Sequence, residues 1–203
     1  MCLMISTSLK PAVTRAINPV AKGLLRMGAT ANGVTFAGAS ALIVSALYFL
    51  PRGDLFVGCL VISFFCLSDL FDGAMARISQ QGASSWGGFL DSTLDRIADA
   101  AIVSGVLLYL LKTQDELIPV ALVALVSGFL ISYIRAKAES LGIECSVGVA
   151  ERTERLVIAL TCIGLEGLSV PYALATGFWL LAILGLITVS QRLFVVRKGT
   201  LER

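Results

Sequence analysis

Four aspartates, Asp69, Asp72, Asp91 and Asp95, fall close together in a chain that is 57% hydrophobic and only 15% charged. Asp69 and Asp72 close one apolar run, Asp91 and Asp95 open the next, and Gly73, Ala76, Arg77 and Gly87 lie between them. An ionisable group within a membrane segment is costly and marks a functional site by default. Four charges of one sign repel one another unless a cation sits among them. The sequence contains no histidine, which removes histidine triads, histidine metal ligands and a histidine general base. An all-oxygen donor set suits Mg²⁺, Mn²⁺ or Ca²⁺ rather than zinc. Carboxylates holding one or two such ions form a clamp for displacement at phosphorus, and one carboxylate can serve as base toward an alcohol. The five cysteines show no C-x-x-C spacing, so neither zinc nor redox chemistry is expected of them.

The elements that must position these acids are membrane helices. A mean hydropathy of +0.87, with charge far below the soluble norm, predicts an all-α integral membrane protein. The 203 residues suit a single domain, 1–203, of about six transmembrane helices of roughly 20 residues each. The N-terminal patch MCLMIS is too short for the apolar region of a cleavable signal peptide. Residues 8–28 are too polar to span. On a helical wheel Val13, Ile17, Val20, Leu24 and Met27 lie opposite Arg15, Lys22 and Arg26, so an amphipathic juxtamembrane helix at an anionic surface is expected, kinked at Pro19. Spans follow at about 32–50, 55–78, 85–111, 117–139, 148–165 and 171–192. Four of them are too short in apolar residues alone. Each is completed by charged residues at the same end, which therefore should line a shared watery cavity.

Helix geometry brings the acids to one level. Asp69, Asp72, Gly73 and Ala76 share one face of the second span, and Asp91, Asp95 and Asp99 recur at every fourth residue of the third. Counted from the outer helix ends at about 1.5 Å per residue, Asp69 and Asp72 lie roughly 21 and 26 Å in, and Asp95 and Asp91 roughly 24 and 30 Å. The small residues Gly73, Ala76 and Gly87 would let the backbones approach and leave room for a flat ligand. With six spans, all of the 16 Lys and Arg except Arg52 and Lys112 fall on the side of both termini. That asymmetry places the termini and the aspartates on the cytoplasmic side of the membrane.

The spacing D-x-x-D-G-x-x-A-R, then G-x-x-x-D-x-x-x-D, resembles the signature of the CDP-alcohol phosphatidyltransferases. The intervening spacer of nine residues is one longer than that family's commonest form. The resemblance implies six transmembrane helices, a juxtamembrane helix, a homodimer among membrane lipids, and CDP-diacylglycerol as donor. It implies that Asp69, Asp72, Asp91 and Asp95 bind Mg²⁺ (or Mn²⁺), and that Asp95 is also the base on the acceptor hydroxyl. It further implies that Gly73 and Ala76 make space for cytidine, that Arg77 and Ser84 contact the donor, and that Asn32, Gly33, Val34 and Thr35 face it. Thr30-Ala31-Asn32 stands where relatives often have Thr-Pro-Asn.

Arg135, Lys137, Arg152, Arg155 and Arg192 come from the charged ends of three further helices. Arginine forks bind phosphate bidentately, so a basic pocket beside an acidic metal site points to a phosphorylated polyol acceptor. Arg197, Lys198 and Arg203 read as ordinary positive-inside residues. SYIRAKAE (132–139), ERTERL (151–156), QRL (191–193) and AKGLLR (21–26) resemble the actinobacterial phosphatidylinositol phosphate synthases. In that branch inositol phosphate is the acceptor, and phosphatidylinositol phosphate and CMP are the products. A phosphatidylglycerophosphate synthase, taking glycerol phosphate, is the alternative within the class. An ion-coupled membrane transporter is the alternative outside it, although no inverted repeat or pair of broken helices is evident. No nucleic-acid partner is expected.

Overall fold

The structure is a computed structural model that describes residues 19, 23, 25, 28, 30–67, 75, 78 and 84–201. The described residues form helices and connecting turns, with no strand among them. The helices are α1 (Ala31–Phe49), α2 (Leu55–Cys66), α3 (Ser85–Thr113), α4 (Ile118–Ser140), α5 (Arg152–Gly167) and α6 (Ala173–Leu201). Among the described residues three segments are long and apolar enough to cross a membrane, Ala31–Arg52, Ile118–Ser140 and Ala173–Leu201, and α2 is a shorter apolar helix. Their outer faces carry large exposed apolar side chains such as Val44, Phe129, Trp179 and Ile183, the pattern of a membrane protein. Most of the expected juxtamembrane segment 8–28 lies outside the described residues; within it Pro19, Gly23 and Leu25 are helical.

The chain divides into two compact units, residues 1–44 with 61–98, and residues 45–60 with 99–203. In the first, Met75 is fully buried and packs against Leu25, Ala31, Val34 and Ile78, Ala31 and Val34 being at the start of α1. Thr30 opens α1: its Oγ1 accepts a hydrogen bond from the Gly33 amide at 3.1 Å. Ser84 opens α3 in the same way, its Oγ accepting from the Gly87 amide at 2.9 Å. Both hydroxyls satisfy amides that a helix start otherwise leaves without a partner.

In the second unit α6 packs against both α4 and α5. Small residues permit the close approach: Gly185 meets Ser127, and Gly177 meets Cys162. Gly105 of α3 sits against the Ala46 carbonyl and Leu50, where a Cβ would come within 2.7 Å of that oxygen. At the end of this unit that holds Arg52 and Lys112, Lys112 Nζ donates to the Pro51 carbonyl at 2.8 Å, and the Arg52 guanidinium lies 3.6 Å from the Tyr48 ring centroid. Glu166 caps the start of α6, its Oε2 accepting from the Leu174 amide at 3.1 Å.

Two bounds of α5 and α6 differ by more than two residues from the spans expected from hydropathy. α5 starts at Arg152, later than residue 148, because the chain before it is not helical but lies along α6, held by contacts to Thr188 and Arg192. α6 continues past residue 192 to Leu201 because its last turns have something to cover: Val195 and Val196 pack on Ala138, Ile143 and Cys145.

Candidate active site

The site residues expected from the sequence divide between the two units. In the first unit lie Asn32, Gly33, Val34, Thr35, Ser84, Asp91 and Asp95. Asn32 and Val34 are half-buried, Gly33 is exposed, and Thr35 is buried with its Oγ1 donating to the Ala31 carbonyl at 3.0 Å. A Cβ built on Gly87 would stand 2.9 Å from Asn32 Oδ1 and 3.1 Å from Ser84 Oγ. The beginnings of α1 and α3 therefore meet at Gly87, and two of the expected donor contacts, Asn32 and Ser84, converge there. Asp91 follows one turn further along α3 and is exposed; Asp95 follows a turn after that and is half-buried. The Ser92 and Thr93 hydroxyls both donate back to the Phe89 carbonyl, at 3.1 and 2.8 Å, so these neighbours are tied to their own helix. Trp86 and Phe89 stack on the same stretch with ring centroids 5.6 Å apart, and both are exposed, as aromatics at a membrane interface commonly are.

Asp69, Asp72, Gly73, Ala76 and Arg77 lie outside the described residues. Met75, immediately before Ala76 in the chain, packs on Ala31 and Val34, the start of α1 where Asn32 stands. Among the described residues no three His, Cys, Asp or Glu gather as a metal group; Asp91 and Asp95 are two of the four expected ligands. The chemistry of the donor set fits a hard divalent cation: carboxylate oxygens only, in a sequence without histidine.

The second unit holds the basic set. Arg135 and Lys137 are exposed near the end of α4, and Arg135 Nε pairs with Glu139 Oε1 at 2.9 Å. Arg152 is the first residue of α5 and is half-buried; its Nε lies 3.4 Å from Asp99 Oδ1 on α3. Arg155, one turn on, is also half-buried and donates from Nη1 to the Ala150 carbonyl at 2.9 Å. Arg192 is 3% exposed. Its Nε donates to the Val147 carbonyl at 2.9 Å and its Nη1 to the Ile131 carbonyl at 2.6 Å, so this arginine binds α4 and the segment before α5 to α6. Thr188, one turn earlier, is fully buried and accepts from the Ala150 amide at 3.3 Å. Gly148 fits against it, since a Cβ there would come within 2.6 Å of Thr188 Cγ2.

Sequence reasoning placed Asp99 on the face of Asp91 and Asp95 but gave it no role. The repeat of aspartate at every fourth position was the available signal. Thr188 and Gly148 carry no mark in the sequence, because their importance arises only when the segment before α5 folds onto α6.

A family model described as CDP-alcohol phosphatidyltransferase matches residues 29–196. A phosphatidylinositol phosphate synthase of Streptomyces avermitilis is 42% identical over 199 residues, covering 93% of this chain and 81% of that protein. One from Mycobacterium bovis is 42% identical over 201 residues, covering 96% and 92%. The crystal structure of the Mycobacterium tuberculosis phosphatidylinositol phosphate synthase with CDP-DAG bound matches with a TM-score of 0.85 at 42% identity, covering 90% of this chain and 94% of that one. The same enzyme in complex with manganese and citrate matches with a TM-score of 0.84, covering 89% and 88%.

Proposed function

The chain belongs to the CDP-alcohol phosphatidyltransferase family, and on that premise we propose that it transfers the phosphatidyl group of CDP-diacylglycerol to inositol phosphate, releasing CMP. One observation carries the choice of acceptor. Relatives named phosphatidylinositol phosphate synthase are 42% identical across more than nine-tenths of this chain, a span that includes the basic residues of α4, α5 and α6. The protein works as one membrane domain of six transmembrane helices with a juxtamembrane helix before them. It forms a homodimer among the lipids of a bacterial cell membrane, with the termini and the aspartates on the cytoplasmic side.

In this reading Asp69, Asp72, Asp91 and Asp95 hold Mg²⁺, with Mn²⁺ as a substitute. Bound there, the cation would neutralise charge on the phosphate oxygens and stabilise the departing phosphate. Asn32, Gly33, Val34 and Thr35 line the donor, with Gly73, Ala76, Arg77 and Ser84 completing its seat. Asp95 accepts the proton of the acceptor hydroxyl. That oxygen attacks the phosphorus attached to diacylglycerol, the bond from that phosphorus to the oxygen of CMP breaks, and CMP carries away the electron pair. Arg135, Lys137, Arg152, Arg155 and Arg192 hold the acceptor phosphate. The apolar outer faces of α1, α4 and α6 leave the donor's acyl chains in lipid while its headgroup reacts at the membrane surface.

The test is release of CMP from CDP-diacylglycerol by protein purified in detergent, with inositol phosphate, free inositol and glycerol phosphate compared side by side. Turnover with inositol phosphate far above the other two is the expected result. Preference for glycerol phosphate would make the protein a phosphatidylglycerophosphate synthase. No CMP with any acceptor, together with ion flux in liposomes, would sink the enzymatic reading.

A further inference from the structure

We infer that Asp99 is a positioning residue for the acceptor: it holds the Arg152 guanidinium by its Nε and thereby sets the affinity of the enzyme for the acceptor phosphate. The inference rests on the reading of Arg152 as a phosphate-binding residue. Three observations support it. Arg152 Nε lies 3.4 Å from Asp99 Oδ1, each side chain being 32% exposed, and the two facing atoms themselves are shielded from solvent. An ion pair with its contacting atoms out of water is screened much less than one on an open surface. Second, the contact engages Nε and not the terminal nitrogens. A guanidinium is a planar fork, and its bidentate match to a phosphate uses a pair of N–H groups along one edge. A carboxylate at Nε fixes the rotation of that plane through the one nitrogen that is joined to the side-chain stem.

Third, Asp99 stands on α3 at the fourth residue after Asp95, which is itself the fourth after Asp91. The three acids thus occupy one stripe of a single helix. Asp91 and Asp95 are assigned to metal and proton transfer, whereas Asp99 faces an arginine. The same helix therefore carries the proposed base and the group that orients an acceptor-binding arginine. The Arg135–Glu139 pair is different in kind: it lies within one helix at i,i+4, with half of each side chain exposed, a geometry of small and salt-sensitive effect.

The experiment is a cycle of Asp99→Ala, Arg152→Ala and the double variant in the full-length enzyme, with KM for inositol phosphate, KM for CDP-diacylglycerol and kcat measured for each, and Asp99→Asn alongside. Arg152→Ala should raise the acceptor KM at least tenfold. Asp99→Ala should raise it severalfold, up to about tenfold, as expected for loss of one ion-pair contact whose facing atoms are shielded from solvent, with donor KM and kcat within about twofold of the parent. Asp99→Asn, which keeps the shape of the side chain but not its charge, should recover only part of that loss. In the Arg152→Ala background Asp99→Ala should add nothing, since it acts through that arginine. A full additional effect in that background, or an equal rise in both KM values, overturns the inference while leaving Arg152 as a phosphate ligand. An unchanged acceptor KM in Arg152→Ala overturns the underlying assignment of Arg152. If Asp99→Ala does not fold, Asp99→Asn decides: with donor KM and kcat kept, an acceptor KM raised severalfold supports the inference, and one unchanged from the parent refutes it.

Discussion

Asn32 Oδ1 occupies the space that a side chain on Gly87 would need: a Cβ there would lie 2.9 Å from it. The glycine of the aspartate signature is thus matched to a side chain at the start of α1. Gly87→Ala must push Asn32 aside, because Ser84 Oγ blocks the other direction at 3.1 Å. Asn32 Oδ1 is the far end of a flexible side chain at a half-buried position, so the cost stays below that of overpacking a core, about 1–3 kcal/mol. The expected outcome is a folded protein with a lowered thermal midpoint and a donor KM raised at least several-fold. Unaltered donor KM in that variant would remove Asn32 and Ser84 from the donor site.

Asp95→Asn should lower kcat by roughly a hundred- to ten-thousandfold, the usual contribution of a positioned base. The measurement is single-turnover CMP release at saturating Mg²⁺, with metal binding monitored separately, since Asp95 is also an expected ligand. Near-normal turnover with metal bound would show that another group takes the proton.

Arg192 should behave differently from Arg135. Removing the Arg192 guanidinium breaks its hydrogen bonds to the carbonyls of Val147 and Ile131, at about 1.5–3 kcal/mol for each bond made by a charged donor. Arg192→Ala should therefore lose thermal stability as well as acceptor affinity. Arg135→Ala, in an exposed pair with Glu139, should change stability by less than about 1 kcal/mol and show its effect in acceptor KM alone. The comparison of melting midpoints with KM values separates the two roles.

The contrast between these arginines shows what the sequence could and could not convey. Helix starts are local events, and Thr30 and Ser84 sit where capping rules place them; Asp115, two residues before Leu117 at the start of α4, makes a local turn contact, its Oδ1 accepting from the Leu117 amide at 2.8 Å. The aspartate spacing is likewise local, because one helical turn fixes which side chains share a face. The burial of Arg192 is not local. It depends on residues 141–151 returning across α6, and nothing in the run QRL distinguishes a cation bound to backbone carbonyls from one facing a cavity. The partner of Arg152 was equally hidden, since Asp99 lies 53 positions earlier in the chain (152 − 99). The overshoot of α6 to Leu201 has the same origin, a packing partner supplied by Ile143 and Cys145.

Removal of divalent metal should abolish CMP release without unfolding the helices. α6 is held to α4 and α5 by close contacts at Gly185 and Gly177, which owe nothing to a cation, so helical content after chelation should stay constant. Mg²⁺ should restore activity, and Mn²⁺ should substitute because both accept oxygen donors in octahedral geometry. Zn²⁺ should restore less, since its preferred nitrogen and sulfur ligands are not in this donor set. Activity that persists through exhaustive chelation would refute the assignment of Asp69, Asp72, Asp91 and Asp95 as ligands.

Gly148→Ala tests whether the segment before α5 must lie where it does. A methyl group there meets Thr188 Cγ2 at 2.6 Å, and Thr188 cannot yield easily: it is fully buried, it donates to the Leu184 carbonyl at 2.8 Å and it accepts from Ala150. Gly148 also has φ +156°, a value that side-chain-bearing residues seldom adopt. The segment must therefore lift from α6. Its displacement would move Ala150, whose carbonyl holds Arg155, and would shift the start of α5 at Arg152. The expected result is an acceptor KM raised more than the donor KM, with a modest fall in melting temperature. Thr188→Ser in the Gly148→Ala background removes the obstructing methyl and keeps the hydroxyl, so it should recover part of the lost affinity; failure to recover any would place the strain in the backbone and not in the contact.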